Sequence, residues 1–310
     1  MSGGTGSVAE PRPSHPGVTG VGSAFGVFGE LLQGVLPEPD GDFLVTLPIA
    51  RWSVATFRGA APGRITVRPR HKTKTLRLAG MILADAGHPM GGEITIESGL
   101  PEGKGMASSS ADLVATARAV GSALGIPLPP SRIESYLRRI EPTDGVLYPA
   151  IVAYHHRRVA LRAVLGTLPP MTVVGVDEGG EVDTVEFNRI PKPFTGSDQR
   201  EYARLLERIT GAVRRRDLAG VGEVATRSAL MNQALRPKAT LDRVLGVCRD
   251  VGGLGVVAAH SGTSLGILLD PARPGHADRT AAAVAACSAI AGDVTVHQCL
   301  SFDGMGRRGC

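Results

Sequence analysis

The chain has 310 residues, with 34 Lys and Arg against 29 Asp and Glu, a formal charge of +5 at pH 7. Apolar residues at 43% and charged residues at 20% exclude wholesale disorder, and 41 glycines without a triplet period exclude collagen. No apolar run approaches the roughly 20 residues that span a bilayer, so no membrane partner is expected. The basic excess suits an anionic substrate such as a nucleotide but is too dispersed to expect nucleic acid.

Residues 1–22 are rich in Gly, Pro and Ser and lack an apolar core. They read as a disordered leader rather than a signal peptide. Short antiparallel strands are expected at Phe43–Leu47, Trp52–Phe57 and Ile65–Val67, with turn chemistry at Pro37–Gly41. Leu76, Ala79, Leu83 and Ala86 predict a helix over Thr73–Ala86. Glu93–Ser98 alternates as a strand. A Gly- and Ser-rich loop follows it, then a helix carrying Leu113, Ala117, Val120 and Leu124 and stopped by Gly125 and Pro127. Ser131 with Glu134 three residues on gives a capping box for the next helix. Pro142 ends that helix and leaves Glu141–Gly145 as a turn, before a strand at Arg158–Leu165.

Pro169-Pro170 divides the chain into domains over 23–168 and 169–303, with 304–310 a frayed tail. The second half reads as a strand at Met171–Asp177, helices at Glu201–Arg214, Leu218–Leu235 and Thr240–Val251, strands at Leu254–Ala259 and Leu265–Leu269, a helix at Ala277–Ala289 and a strand at Asp293–Leu300. That pattern predicts an α+β layer. Cys248, Cys287, Cys299 and Cys310 form no CxxC pair, so free thiols in a reducing cytoplasm are expected.

The strand, loop and helix at Ser98–Leu124 carry the strongest chemical signal. Gly103 and Gly105 let the backbone approach an anion, the helix N-terminus offers unpaired amides, and Ser108, Ser109 and Ser110 add hydroxyls. Lys104 is placed to neutralise phosphate. The loop lacks the GK[ST] ending of a Walker A motif, and the same residues also fit a turn capped by serine. Gly29–Gly34, the Asp144 turn and the hairpin at His260–Gly266 each have a plain structural reading as well. His155, His156, His276 and His297 lie in no metal-ligand spacing and read as structural.

The order of these four segments is more specific than any one. It resembles the GHMP kinase superfamily over residues 23–300, and within it the L-threonine kinase branch, whose members combine a GEL[LI]QG segment, an EPTDG-type turn and an AHSGT-type hairpin. Pro101–Ala111 is similar to the family's central phosphate motif. The resemblance implies an α+β, two-domain fold, with a ribosomal-protein-S5-domain-2-like first half and a ferredoxin-like second half. It implies ATP and Mg2+, with Pro101, Gly103, Lys104, Gly105, Met106, Ala107, Ser108, Ser109 and Ser110 around the phosphates. Asp144 takes the catalytic place, and Ser109 with Glu134 (rival Glu141) the metal. Glu30, Gln33, Asp144, His260, Ser261, Gly262 and Thr263 would face the acceptor, a small hydroxy amino acid. Arg227, Arg236 and His260 are candidates for its charged groups, while Lys72 and Lys74 read as a solvated loop, with a place near the nucleotide as the alternative. A homodimer is left open. Three departures stand out: Ala24 replaces a lysine five residues before the Gly-Glu pair, Ala107 replaces a common glycine, and the third motif has few glycines. The alternatives are a GHMP kinase for another metabolite alcohol, or a non-catalytic nucleotide- or nucleic-acid-binding module.

Overall fold

Long alternating segments and small residues shape the first half of the chain. The computed structural model describes residues 17–88, 90–180 and 190–303; most of the expected leader and the expected tail lie outside them. Strand β1 (Thr19–Val35) begins inside the expected leader and pairs antiparallel with β2 (Asp42–Ala60). The two segments expected at 43–47 and 52–57 are therefore one strand. Between the two expected segments stands Pro48, which has no N–H to give. Pro48 sits opposite Val27, where irregular register in β1 absorbs it, and its carbonyl accepts from Leu300.

Strand β3 (Ile65–Arg68) pairs with β4 (Gly91–Ser98) in parallel, not antiparallel, because helix α1 (Thr73–Asp85) crosses between them. Helix α2 (Ser108–Leu124) lies against β1. A Cβ on Gly20 would stand 2.2 Å from the Ala119 carbonyl oxygen, and one on Gly22 2.3 Å from that of Ala115. Only glycine lets strand and helix backbones meet this closely. Leu113, Val114 and Val120 of α2 are fully buried, each side chain contributing about 1.5–3 kcal/mol by leaving water. Helix α3 (Pro130–Leu137) opens on Pro129 with no side-chain cap, so the capping box at Ser131 does not form. Strands β5 (Ile151–His155), which the sequence reading missed, and β6 (Ala160–Gly166) pair with each other, and β5 also with β2.

The second half runs β7 (Thr172–Asp177), α4 (Gly196–Arg215), α5 (Leu218–Asn232), α6 (Leu241–Asp250), β8 (Gly255–Ala258), β9 (Ser264–Leu269), α7 (His276–Ser288) and β10 (Val294–Gln298). Helix α4 starts five residues earlier than expected, because Thr195 and Asp198 form a capping box. The sheet order is β10-β7-β9-β8-β1-β2-β4-β3. Its first four strands have the 4-1-3-2 order of a split βαβ unit. The two halves meet where β1 pairs with β8, at Glu30 opposite Ala258. One buried core underlies the first half and reaches α4 and α5; a second lies between β7–β9 and helices α6 and α7.

Candidate active site

The loop between β4 and α2 turns through three residues with positive φ: Gly103 at +71°, Gly105 at +80° and Ala107 at +55°. The first two carry no Cβ penalty; Ala107 does, which accounts for the usual glycine at that place. Ala107 is also the N-cap of α2 and makes no side-chain cap hydrogen bond. The helix therefore opens on the cleft with uncapped amides and the positive end of its dipole.

This loop is held by the other two motifs. The Gly29 N–H donates to the Gly105 carbonyl at 3.1 Å, the Val27 N–H to that of Met106 at 3.3 Å, and the Ser264 hydroxyl to that of Lys104 at 3.1 Å. A Cβ on Gly105 would lie 2.4 Å from the Ala259 Cβ, and one on Gly262 2.4 Å from the Lys104 carbonyl oxygen. The Gly-Glu segment, the phosphate-type loop and the hairpin are thus one packed unit.

A cleft of about 440 Å³ opens over that unit. On its wall the Ser109 hydroxyl donates to one oxygen of Glu141, and the Lys74 ammonium donates to the other. The Lys72 ammonium lies 2.5 Å from Asp112 and 2.6 Å from Glu102. Burial works against its charge, but these two carboxylates hold Lys72 above its ordinary pKa. Asp112 is further tied by the Ser53 hydroxyl at 2.5 Å.

The Glu141–Gly145 turn is pinned at two points. The Thr143 N–H donates to the His156 carbonyl at 3.0 Å, and the Asp144 N–H to the Ser110 hydroxyl at 3.1 Å. Asp144 thus stands beside the first turn of α2. Its carboxyl is pushed up to about 7, first by burial, then by the nearby Glu30 and Glu141 carboxylates; a Ser110 hydrogen bond works the other way. Glu30 is buried and fixed by His260, whose backbone N–H and Nδ1 lie 3.0 and 2.9 Å from Glu30 Oε2. His260 Nδ1 also faces the Ala258 carbonyl, so Nδ1 carries the proton. Its Nε2 then accepts from Ser228, whose oxygen accepts the Gln33 N–H at 3.1 Å.

The expected site residues divide clearly. Glu30, Gln33, Gly103, Gly105, Met106, Ala107, Ser108, Ser109, Ser110, Asp144 and Ser261 line the cleft. Pro101 and Lys104 do not. Lys104 instead pairs with Asp177 at 2.6 Å and donates to the Gly180 carbonyl, which corrects its expected place on a phosphate. Glu134 is also corrected: it is buried away from the cleft, accepting from the Tyr148 hydroxyl and the Leu161 N–H, while its rival Glu141 touches Ser109. His260 supports Glu30 from below. Gly262 packs on the loop, its carbonyl taken by Arg236 and Lys238, and Thr263 donates to Asp177. Arg227 pairs with Glu201 away from the cleft. Lys72 and Lys74, read as a solvated loop, line the cleft wall, and Asp112 and His156 were missed as cleft residues. Nothing in the sequence marked His156.

The oxygen donors Ser109 and Glu141, in contact at a helix N-terminus, fit magnesium, which takes one or two carboxylates together with substrate phosphates. Among the described residues, no group of three His, Cys, Asp or Glu gathers into an all-protein metal cage. No helix among them is long and apolar enough to cross a membrane, and Cys248, Cys287 and Cys299 are buried free thiols.

Residues 74–151 match the model of the GHMP kinases N terminal domain. The chain is similar to the L-threonine kinase of Salmonella typhimurium, 29% identical over 79% of this chain and 81% of that protein. It is 28% identical to the L-threonine kinase of Citrobacter freundii over 78% of this chain and 83% of that one. Among solved structures it superposes on homoserine kinase from Cytophaga hutchinsonii with a TM-score of 0.68, 17% identity, and coverage of 94% and 96%. The L. major mevalonate kinase in complex with R-mevalonate gives 0.67, 14% identity, and coverage of 95% and 99%. These two likenesses speak for the fold. With its phosphate-type loop inside the segment that matches the GHMP kinases N terminal domain, and most of its length aligned to curated kinases, the chain is a kinase, a phosphotransferase.

Proposed function

We propose that the chain transfers the γ-phosphoryl group of ATP to the side-chain hydroxyl of L-threonine or a similar hydroxy amino acid, in the cytoplasm. The observation that carries this reading is the shared cleft: an uncapped helix N-terminus at Ser108–Ser110 beside the Asp144 carboxyl. The two L-threonine kinase relatives support the choice of acceptor.

In this reading the amides from Gly103 to Ser110 cradle the phosphates, and Lys72 and Lys74 supply cationic charge at the cleft wall. Ser109 and Glu141 hold the magnesium ion, which when bound neutralises phosphate charge. Asp144 orients the acceptor hydroxyl and takes its proton as the new oxygen–phosphorus bond forms and the bond to ADP breaks. An alcohol is a far weaker acid than a carboxylic acid, so positioning is the larger part of its contribution. Residues 23–168 and 169–303 act as the two domains, the first lining the cleft and the second reaching it at Ser261.

The test is direct. Purified chain with ATP, magnesium and L-threonine is expected to release ADP and form an acid-stable phosphoester. A panel that adds homoserine ranks the hydroxy amino acids, and mevalonate, a hydroxyl acceptor that is not an amino acid, separates this reading from a kinase for another alcohol. No turnover with any hydroxy amino acid overturns the acceptor assignment.

A further inference from the structure

His156 is a buried side chain that the reaction described above does not use. It is 4% exposed and lines the cleft, and neither ring nitrogen has a hydrogen-bond partner. Leaving both nitrogens of an imidazole buried and unpaired costs free energy that a well-packed phenyl ring would not. One other buried polar atom on the cleft is in the same condition: the side-chain oxygen of Gln33, whose residue is 7% exposed.

The surroundings of the two groups differ in sign. Gln33 stands in β1 three residues from the fixed carboxylate of Glu30, with Asp144 near by. His156 follows β5 and feels Lys192 and Arg157, two cations that also approach Asp42. Burial, then these cations, hold the His156 ring down to about 3, so it stays neutral with one donor and one acceptor nitrogen. A positive field around a neutral N–H donor favours an anion. A carbonyl oxygen beside carboxylates favours a cation.

We propose that His156 is a specificity-determining residue that donates to the α-carboxylate of the acceptor, while Gln33 and Glu30 receive its ammonium group. The inference rests on the acceptor being a hydroxy amino acid. It also gives the cleft what the sequence reading could not find, a partner for the acceptor's carboxylate: Arg227 and Arg236 are engaged elsewhere.

The test compares L-threonine with 1-aminopropan-2-ol, the same amino alcohol without the carboxylate. In wild type the carboxylate is expected to favour threonine in kcat/KM. His156→Phe should lower kcat/KM for threonine about 10- to 100-fold, the range for a lost hydrogen bond to a charged group, chiefly through KM. It should leave the amino alcohol and the KM for ATP within about twofold, a split that general misfolding would not produce. His156→Asn, which restores an N–H donor, should recover part of the loss, and it serves as the primary variant if His156→Phe does not fold. An equal effect on both acceptors, or none, overturns the inference. A wild type inactive on every hydroxy amino acid overturns the acceptor reading as well, and that result comes from the unmutated protein alone.

Discussion

The Ser109 hydroxyl donates to Glu141, although the two residues lie 32 positions apart and belong to different elements. Glu134 lies inside α3, just before the Glu141–Gly145 turn, and has a cap-like spacing, yet it is spent on Tyr148 and Leu161. The pair therefore makes a sharp experiment. Glu141→Gln should lower kcat by about 100-fold or more, as loss of a charge-stabilising group at the reacting centre does, and raise the magnesium requirement. Glu134→Gln should keep kcat within about threefold and lower Tm instead, since it weakens two half-buried hydrogen bonds. Activity against magnesium concentration, with Tm for each variant, checks both.

Asp144 makes the pH dependence predictable. With its carboxyl at about 7 in the free protein, kcat/KM should fall as pH drops through 7, because the ionised form orients the hydroxyl. Glu30→Gln removes a like charge and should move that limb to lower pH. The sign for stability is opposite. A carboxyl raised on folding stabilises the native state fully below its unfolded pKa near 3.8, and that contribution is lost as pH rises through about 7. Asp144→Asn should therefore raise Tm relative to wild type at pH 8, by about 2 °C or more, with the gain gone at pH 4.

Gly262 presses on the phosphate-type loop, so Gly262→Ala tests whether the hairpin sets the loop. Its Cβ would stand 2.4 Å from the Lys104 carbonyl oxygen and 2.5 Å from the Gly105 nitrogen, so the loop backbone has to shift. Displacing cradle amides by even part of an ångström should raise the KM for ATP about 10-fold or more and affect the KM for the acceptor less. Steady-state kinetics with each substrate varied in turn measures the difference.

Lys104 lies inside the phosphate motif, and Lys74 lies outside it. Lys104 is held by Asp177, whereas Lys74 reaches the Glu141 that touches Ser109. Lys104→Met should change the KM for ATP by less than about threefold, while Lys74→Met should raise it about 10-fold, the range for a charge-assisted contact. Equal effects would mean that Lys104 leaves Asp177 when nucleotide binds.

The legible part of this protein was local. Gly103, Gly105 and the three serines marked the turn that opens α2 on the cleft, because glycine and an uncapped helix start act over a few neighbouring residues. The alternation in β4 and β10 and the stop at Gly125 were readable for the same reason. Residues whose function depends on a distant partner were not. Lys104 looked free until Asp177, 73 positions on, was brought to it by β7. Glu134 looked like a cap until the chain ahead of it proved to begin the helix on proline.

Chain order, hydrophobic period and the Gly, Ser and Pro positions were enough to specify most of the helices and strands, the Gly- and Ser-rich loop and the resemblance, since each depends on short-range backbone geometry; β5 and the continuity of β2 were not legible there. Which carboxylate meets Ser109, which lysines face the cleft and where His156 stands depended on how α1, α2, the 141–145 turn and β5 pack together. Side-chain charge and desolvation are set by neighbours in space, and only packing brings residues such as Glu30 and His260, 230 positions apart, within hydrogen-bonding reach.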